Sequence, residues 1–156
     1  MPAFPASPAM ARALYEARAA AARGEVPVGA VISAADGTII AAAGNRTLAQ
    51  HDPTAHAEIL AIRAACATLQ SERLPGTTLH VTLEPCPMCA SAIAQARIAT
   101  LVYGASDPKS GGVEQGPRVF AHAQTHHVPQ VIGGIGETES AALLKAFFAE
   151  RRKSSS

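Results

Sequence analysis

The sequence predicts an α/β fold with parallel strands and helices on both faces of a sheet. Three observations carry this. Thr77 to Leu83, Met88 to about Arg97 and Ala99 to Gly104 read as strand, helix and strand in succession, an order that pairs the two strands in parallel. Val26 to Ala34 and Thr38 to Ala43 are short apolar runs parted by Asp36-Gly37, a strong short-range signal for a hairpin. Between hairpin and crossover, Ile59, Ile62, Cys66 and Leu69 recur at helical spacing. In sheets of this kind ligands collect at the C-terminal ends of the strands.

Taken in order, Ser7-Pro8 reads as an N-cap followed by proline at the first helical position, opening a helix that ends at Gly24 and turns Met10, Leu14 and Ala17 inward. The hairpin follows. Asp52-Pro53-Thr54 is a start signal for the second helix, which puts His56 and Glu58 in its first turn. Pro85 and Pro87 stop the next strand and prepare a helix whose first turn carries Cys89, with Cys86 just before it. Thr138 to Lys153 closes the chain as an amphipathic helix with Leu143, Leu144, Phe147 and Phe148 apolar.

A chain of 156 residues reads as a single domain, 1–156, with flexible ends at 1–6 and 154–156. With 48% apolar and 16% charged residues it is globular rather than disordered. No apolar stretch approaches 18 residues without a charge, so no membrane span is expected. Met1 to Ala9 show neither the basic region nor the apolar run of a signal peptide. With thiols needed as metal ligands, this points to a reducing cytoplasm.

The chemistry lies in His56-Ala57-Glu58 and Pro85-Cys86-Pro87-Met88-Cys89. One imidazole and two thiols supply three ligands for Zn²⁺ and leave a fourth position for water, while Glu58 supplies a base. Residues two apart in a helix differ by about 200° in direction, so His56 and Glu58 can face one ion only if it sits beyond the helix N-terminus. A structural zinc site would need a fourth protein ligand, and the remaining cysteine, Cys66, falls on the apolar stripe. A thioredoxin-type pair would leave His56 and Glu58 idle. A second metal site at His122, His126 and His127 lacks any adjoining thiol or carboxylate, and His51 and His80 read as structural.

Beyond that signature, the segments Glu25 to Ala30, Asn45-Arg46, His51 to Ile59, Thr82 to Ala90, Ala96-Arg97-Ile98 and Tyr103-Gly104-Ala105 closely resemble the bacterial tRNA-specific adenosine deaminases of the cytidine-deaminase-like zinc deaminase superfamily. The match runs from about Met10 to Arg152. It implies a three-layer α/β/α sandwich around a five-stranded mixed sheet, its fifth strand near Val128 to Ile132. It also implies one Zn²⁺ per subunit on His56, Cys86 and Cys89, with Glu58 moving the proton, and conversion of adenosine to inosine at the wobble position of a tRNA anticodon stem-loop. A homodimer is implied too, to which the small-residue helix Ala90, Ser91, Ala92 and Ala94 could contribute.

The same resemblance makes Asn45 a hydrogen-bond partner of the flipped nucleoside and puts Val28, Ala57 and Leu83 in the base pocket, although core packing accounts for these three equally well. Asp107 and Lys109 match positions that touch RNA, and Phe148 and Arg152 positions that meet the anticodon loop. The basic tip, Lys145, Arg151, Arg152 and Lys153 against Glu150 in a chain of formal net charge +1, reads on charge alone as a solvated helix end as readily as an RNA contact, and it is the resemblance that implies a short RNA element there. After Gly112 the sequence departs from the family pattern, running Val113-Glu114-Gln115-Gly116-Pro117-Arg118. Rival readings are a deaminase of a free base or nucleoside, a non-catalytic RNA-binding subunit of the same fold, and a zinc-stabilised interaction module.

Overall fold

A computed structural model of the chain describes residues 6–154. The flexible ends expected at 1–6 and 154–156 fall, apart from Ala6 and Ser154, outside the described residues. The element order is α1 (Pro8–Ala22), β1 (Gly29–Ser33), β2 (Ile39–Gly44), α2 (Ala57–Leu69), β3 (Thr78–Leu83), α3 (Pro87–Gln95), β4 (Thr100–Ala105), a 3₁₀ turn at Val119–Ala121, β5 (Gln130–Ile132) and α4 (Glu137–Ser154). The five strands form one sheet in the order β2-β1-β3-β4-β5. β1 is antiparallel to both β2 and β3, while β3, β4 and β5 run parallel, so the sheet is mixed as expected.

Local signals place most boundaries. Ser7 caps α1 by accepting the Met10 N–H at 3.1 Å, with Pro8 as first residue. Gly37, at φ 91°, turns the hairpin, helped by Asp36 Oδ1 accepting the Thr38 N–H at 2.9 Å. β1 is shorter than its apolar run because Pro27 has no N–H for a ladder. The second helix starts later than expected: Asp52 caps a turn at Thr54, and His56 is itself the N-cap residue.

The inward face of α2 also differs from expectation. Its buried residues are Ala57, Glu58, Ala61 and Ala65, whereas Ile59, Ile62 and Cys66 are half-buried and Leu69 is 47% exposed. Alanine lets the helix lie close to the sheet, which pushes the larger side chains to its flanks. Similarly, Ala90 and Ala94 of α3 are consumed by the chain's own core, which leaves Ser91 and Ala92 for any contact between subunits.

Two cores result. Ala30, Ile32, Leu79 and Val81 of the strands meet Ala57, Ala61, Ala90 and Ile93 of α2 and α3 on one face. Val31 and Val102 meet Met10, Ala13 and Leu14 of α1 on the other, with Leu143 of α4 packed alongside. β1 is buried throughout because its alternate side chains enter different cores. The α1 layer is held close by glycine: a Cβ on Gly29 would lie 1.9 Å from the Ala13 carbonyl oxygen. α4 is tied to β3 by the Ser140 hydroxyl, which donates to the Thr82 carbonyl, while Thr82 Oγ1 accepts the Gly29 N–H at 3.1 Å.

Gly29→Ala should therefore lift α1 from the sheet and lower stability by about 3 kcal/mol. Chemical denaturation of the purified variant checks this, and an unchanged midpoint would contradict the close approach.

Candidate active site

The site forms where two helices begin at the same end of the sheet. His56 is the N-cap residue of α2 and Cys86 that of α3; neither side chain caps its own helix. Both are free to point outward. His56 Nδ1 stands 3.6 Å from Cys86 Sγ and 3.5 Å from Cys89 Sγ, and the three donor atoms all lie within 4.8 Å of one another. Tetrahedral coordination with bonds of about 2.0 Å to nitrogen and 2.3 Å to sulfur sets a nitrogen-to-sulfur separation of about 3.5 Å. The cluster therefore fits a tetrahedral metal such as zinc, and a fourth position is left for a non-protein ligand. Among the described residues this is the one such group of histidine, cysteine and acidic side chains, so His122, His126 and His127 build no second one. His127 instead bonds through Nε2 to the Ile98 carbonyl at 2.8 Å.

Electrostatics favour thiolate at Cys86, the N-cap residue of α3. Cys86 is pulled down to about 4, first by a hydrogen bond from the Cys89 thiol and then by His56, against the opposing effect of burial. Cys89 is pushed up, because its proton serves its neighbour and its surroundings are buried. The pair thus shares one negative charge, and metal binding would displace the remaining proton. His56 is raised by its hydrogen bond to Cys86.

Glu58, the second residue of α2, is only 3% exposed, and burial lifts its carboxyl from 4.5 to about 7. A carboxyl poised near neutrality can both take and return a proton. His56 and Glu58 line a cavity of about 230 Å³ together with Val26, Val28, Asn45, Thr47, Leu83, Glu84, Cys86, Asp107 and Ser110.

Asn45 sits at the edge of this cavity with its orientation fixed. Its Oδ1 accepts the Ala57 N–H at 2.8 Å, so the Nδ2 donors remain for a ligand. Of the three residues expected in the base pocket, Val28 and Leu83 line the cavity. Ala57 does not: its side chain is buried in the core, and it serves through the N–H that Asn45 accepts. Asp107 reaches both the cavity and a larger adjoining groove of about 870 Å³, which Lys109, Leu144, Phe148, Arg151 and Arg152 also line. The two spaces share Val26, Leu83, Asp107 and Ser110, so the small cavity opens into the groove. Phe148 is 44% exposed and meets Phe147 edge to face at 5.4 Å. The Arg151 guanidinium lies over the Phe147 ring at 5.0 Å and donates to the Gly24 carbonyl, which holds the end of α4 against the end of α1.

Two buried carboxylates beside the cavity were not singled out from the sequence. Glu25, 2% exposed, accepts the N–H groups of Leu48 at 3.1 Å and Ala49 at 2.9 Å and the Thr47 hydroxyl at 3.3 Å, fixing the wall that follows Asn45. Glu84 does the same for residues 106–115. The one available signal is an acidic residue at the start of one apolar run, Glu25, and at the end of another, Glu84. Burial alone would raise the Glu25 pKa, yet the N–H groups of Ala49 and Leu48, the Thr47 hydroxyl and nearby Arg23 outweigh it and hold it below 4.5.

The family model for MafB19-like deaminases matches residues 6–152. A tRNA-specific adenosine deaminase of Agrobacterium fabrum is 57% identical over 143 residues, covering 92% of this chain and 93% of that protein. A structure solved in a study of A-to-I editing by tRNA:A34 deaminases at the wobble position superposes with a TM-score of 0.86 at 57% identity, covering 87% of this chain and 98% of that one. A guanine deaminase from Nitrosomonas europaea superposes with a TM-score of 0.79 at 26% identity, covering 96% and 88%.

Because the folded pKa of Glu25 lies below its unfolded value, the unfolded chain binds more protons as pH falls, so the stabilisation is full above about 4.5 and is lost on acidification below it. Wild type should exceed Glu25→Gln by about 1.5–3 kcal/mol at pH 7. That gap should narrow in denaturation midpoints followed down to the folded pKa; a gap independent of pH would exclude an ionised Glu25.

Proposed function

We propose, since this chain belongs to the deaminase family that includes the tRNA-specific adenosine deaminases, that it hydrolyses adenosine to inosine at the wobble position of a tRNA anticodon. One observation carries the reading: a small cavity lined by metal-fitting donors and a neutral-range carboxyl opens into a groove bearing Lys109, Phe148, Arg151 and Arg152. A free base needs the cavity alone. A base presented by a folded RNA also needs somewhere for its flanking nucleotides, and stacking on aromatic rings with cations near phosphate is how splayed single strands are held. The likeness to a guanine deaminase supports the rival, a free-base substrate, which the same assay decides.

In this mechanism His56 Nδ1, Cys86 Sγ and Cys89 Sγ hold one Zn²⁺ per subunit. When bound, the metal supplies the Lewis acidity that makes water an effective nucleophile near neutral pH. Glu58 does the proton work: its carboxylate accepts a proton from the attacking water and delivers it to the C6 amine, so that ammonia leaves and inosine remains. The Asn45 Nδ2 donors orient the nucleoside, and Val28 and Leu83 supply apolar walls for the base. Asp107, Lys109, Phe148 and Arg152 engage the anticodon loop.

The working compartment is a reducing cytoplasm, supported by three free cysteines, two of them in the metal cluster. Among the described residues no helix is long and apolar enough to cross a membrane. The working unit is a homodimer, as the resemblance implies, with Ser91 and Ala92 offered on the outer side of α3.

The deciding assay measures inosine in an anticodon stem-loop with adenosine at the wobble position, beside free adenosine, guanine and cytosine; turnover confined to a free base would overturn the reading. Glu58→Ala should retain zinc, measured by atomic absorption, while the rate falls by at least about 10²–10⁴-fold. His56→Ala should lose the zinc itself. Phe148→Ala should weaken stem-loop binding by about 1–3 kcal/mol while leaving zinc content unchanged, as read by titration of a labelled RNA.

A further inference from the structure

Glu84 follows the last residue of β3 and precedes the metal-binding turn, and its side chain is 2% exposed. A carboxylate buried to this degree needs partners. Its partners all come from a single loop. Oε1 accepts the Ser106 hydroxyl at 3.2 Å and the Asp107 N–H at 3.0 Å; Oε2 accepts the N–H groups of Val113 at 3.2 Å, Glu114 at 2.9 Å and Gln115 at 3.0 Å. The first oxygen therefore holds the start of the loop and the second its end. Gln115 Nε2 closes the ring by donating to Ser106 Oγ at 3.3 Å, and the Gly112 N–H donates to the Pro85 carbonyl at 2.8 Å.

Gly111 lies against the same carboxylate, where a Cβ would come within 2.7 Å of it. The loop 106–115 is thus wrapped around a charge where an Ω-loop usually packs its own side chains. Within it lie Asp107, Lys109 and Ser110, which line the groove. The divergent stretch Val113-Glu114-Gln115 engages Glu84 through backbone N–H groups, which any residue but proline supplies. Its side-chain sequence can therefore differ while the anchor stays.

We infer that Glu84 is a positioning residue that fixes the groove-facing loop, and through Asp107 and Lys109 governs capture of the RNA more than the chemical step. This rests on the RNA-deaminase reading above. Glutamine is the informative replacement. Its amide offers one acceptor, so it can satisfy one end of the loop while its NH₂ faces the donors of the other. The loop should come loose at that end.

The test compares wild type, Glu84→Gln and Gly111→Ala, all loaded with zinc. Gly111→Ala pushes a methyl group against the Asp107 carbonyl oxygen at 2.6 Å as well as against the carboxylate, so it loosens the loop with Glu84 in place and keeps the link between loop order and KM testable should Glu84→Gln fail to fold. Both variants should lower kcat/KM on the anticodon stem-loop by roughly 10- to 100-fold, almost wholly through KM, with zinc content unchanged. Hydrogen–deuterium exchange should accelerate in residues 106–115 and remain as in wild type in α3. A fall in kcat at constant KM, loss of zinc, or unchanged exchange in 106–115 would each overturn the inference. A wild type inert on the stem-loop would instead sink the RNA reading, and the exchange measurement would still decide whether Glu84 anchors the loop.

Discussion

The meeting of two helix N-termini at one end of a mixed sheet is the constraint on which the rest depends. His56 and Cys86 occupy equivalent N-cap positions of α2 and α3, and Cys89 is the third residue of α3, within its first turn. Each N-terminus contributes partial positive charge and unsatisfied N–H groups, which favour thiolate at Cys86 and oppose, without overcoming, the burial that holds the Glu58 carboxyl at about 7. Separations of 3.5 and 3.6 Å from His56 Nδ1 to the two sulfurs require the starts of α2 and α3 to be set to within a few tenths of an ångström, although 29 residues lie between His56 and Cys86. That precision is not a property of either motif. It comes from alanine-faced helices lying close on the sheet, so that neither helix can shift along it without opening the core.

Around this rigid centre the walls are built by backbone hydrogen bonding to buried charge. Glu25 gathers the N–H groups of Leu48 and Ala49, and Glu84 those of Asp107, Val113, Glu114 and Gln115. Loops that carry binding residues must expose side chains, so they cannot be fixed by burying them. A carboxylate beneath the loop fixes the main chain instead and leaves the outer surface free for recognition. Asn45 applies the same economy at smaller scale: one end of its amide fastens α2 through Ala57, and the other remains for a ligand.

The readable parts of the sequence were those with local causes. Ser7-Pro8 caps a helix by itself, Asp36-Gly37 turns a hairpin by itself, and the prolines around Cys86 stop a strand and admit a helix whatever surrounds them. Misplaced features had non-local causes. Helical spacing points to Ile59, Ile62, Cys66 and Leu69 as the inward face of α2, but the closeness of helix to sheet selects Ala61 and Ala65 and turns Leu69 outward. For Ala57 the resemblance implies the pocket while core packing is an equal account, and the core takes it; Ala90 and Ala94, small residues suited to a contact between helices, are likewise buried within the chain.

Sequence alone determined the chemistry at the centre, because histidine, two thiols and a carboxylate at these spacings have few common uses, and because helix ends are specified within a few residues of themselves. Tertiary structure alone decided how the cavity opens into the groove, which end of Asn45 faces it, and what holds the loops on either side. Those outcomes depend on backbone N–H groups, which every residue but proline possesses and no side-chain sequence records, and on packing distances set by residues far apart in the chain.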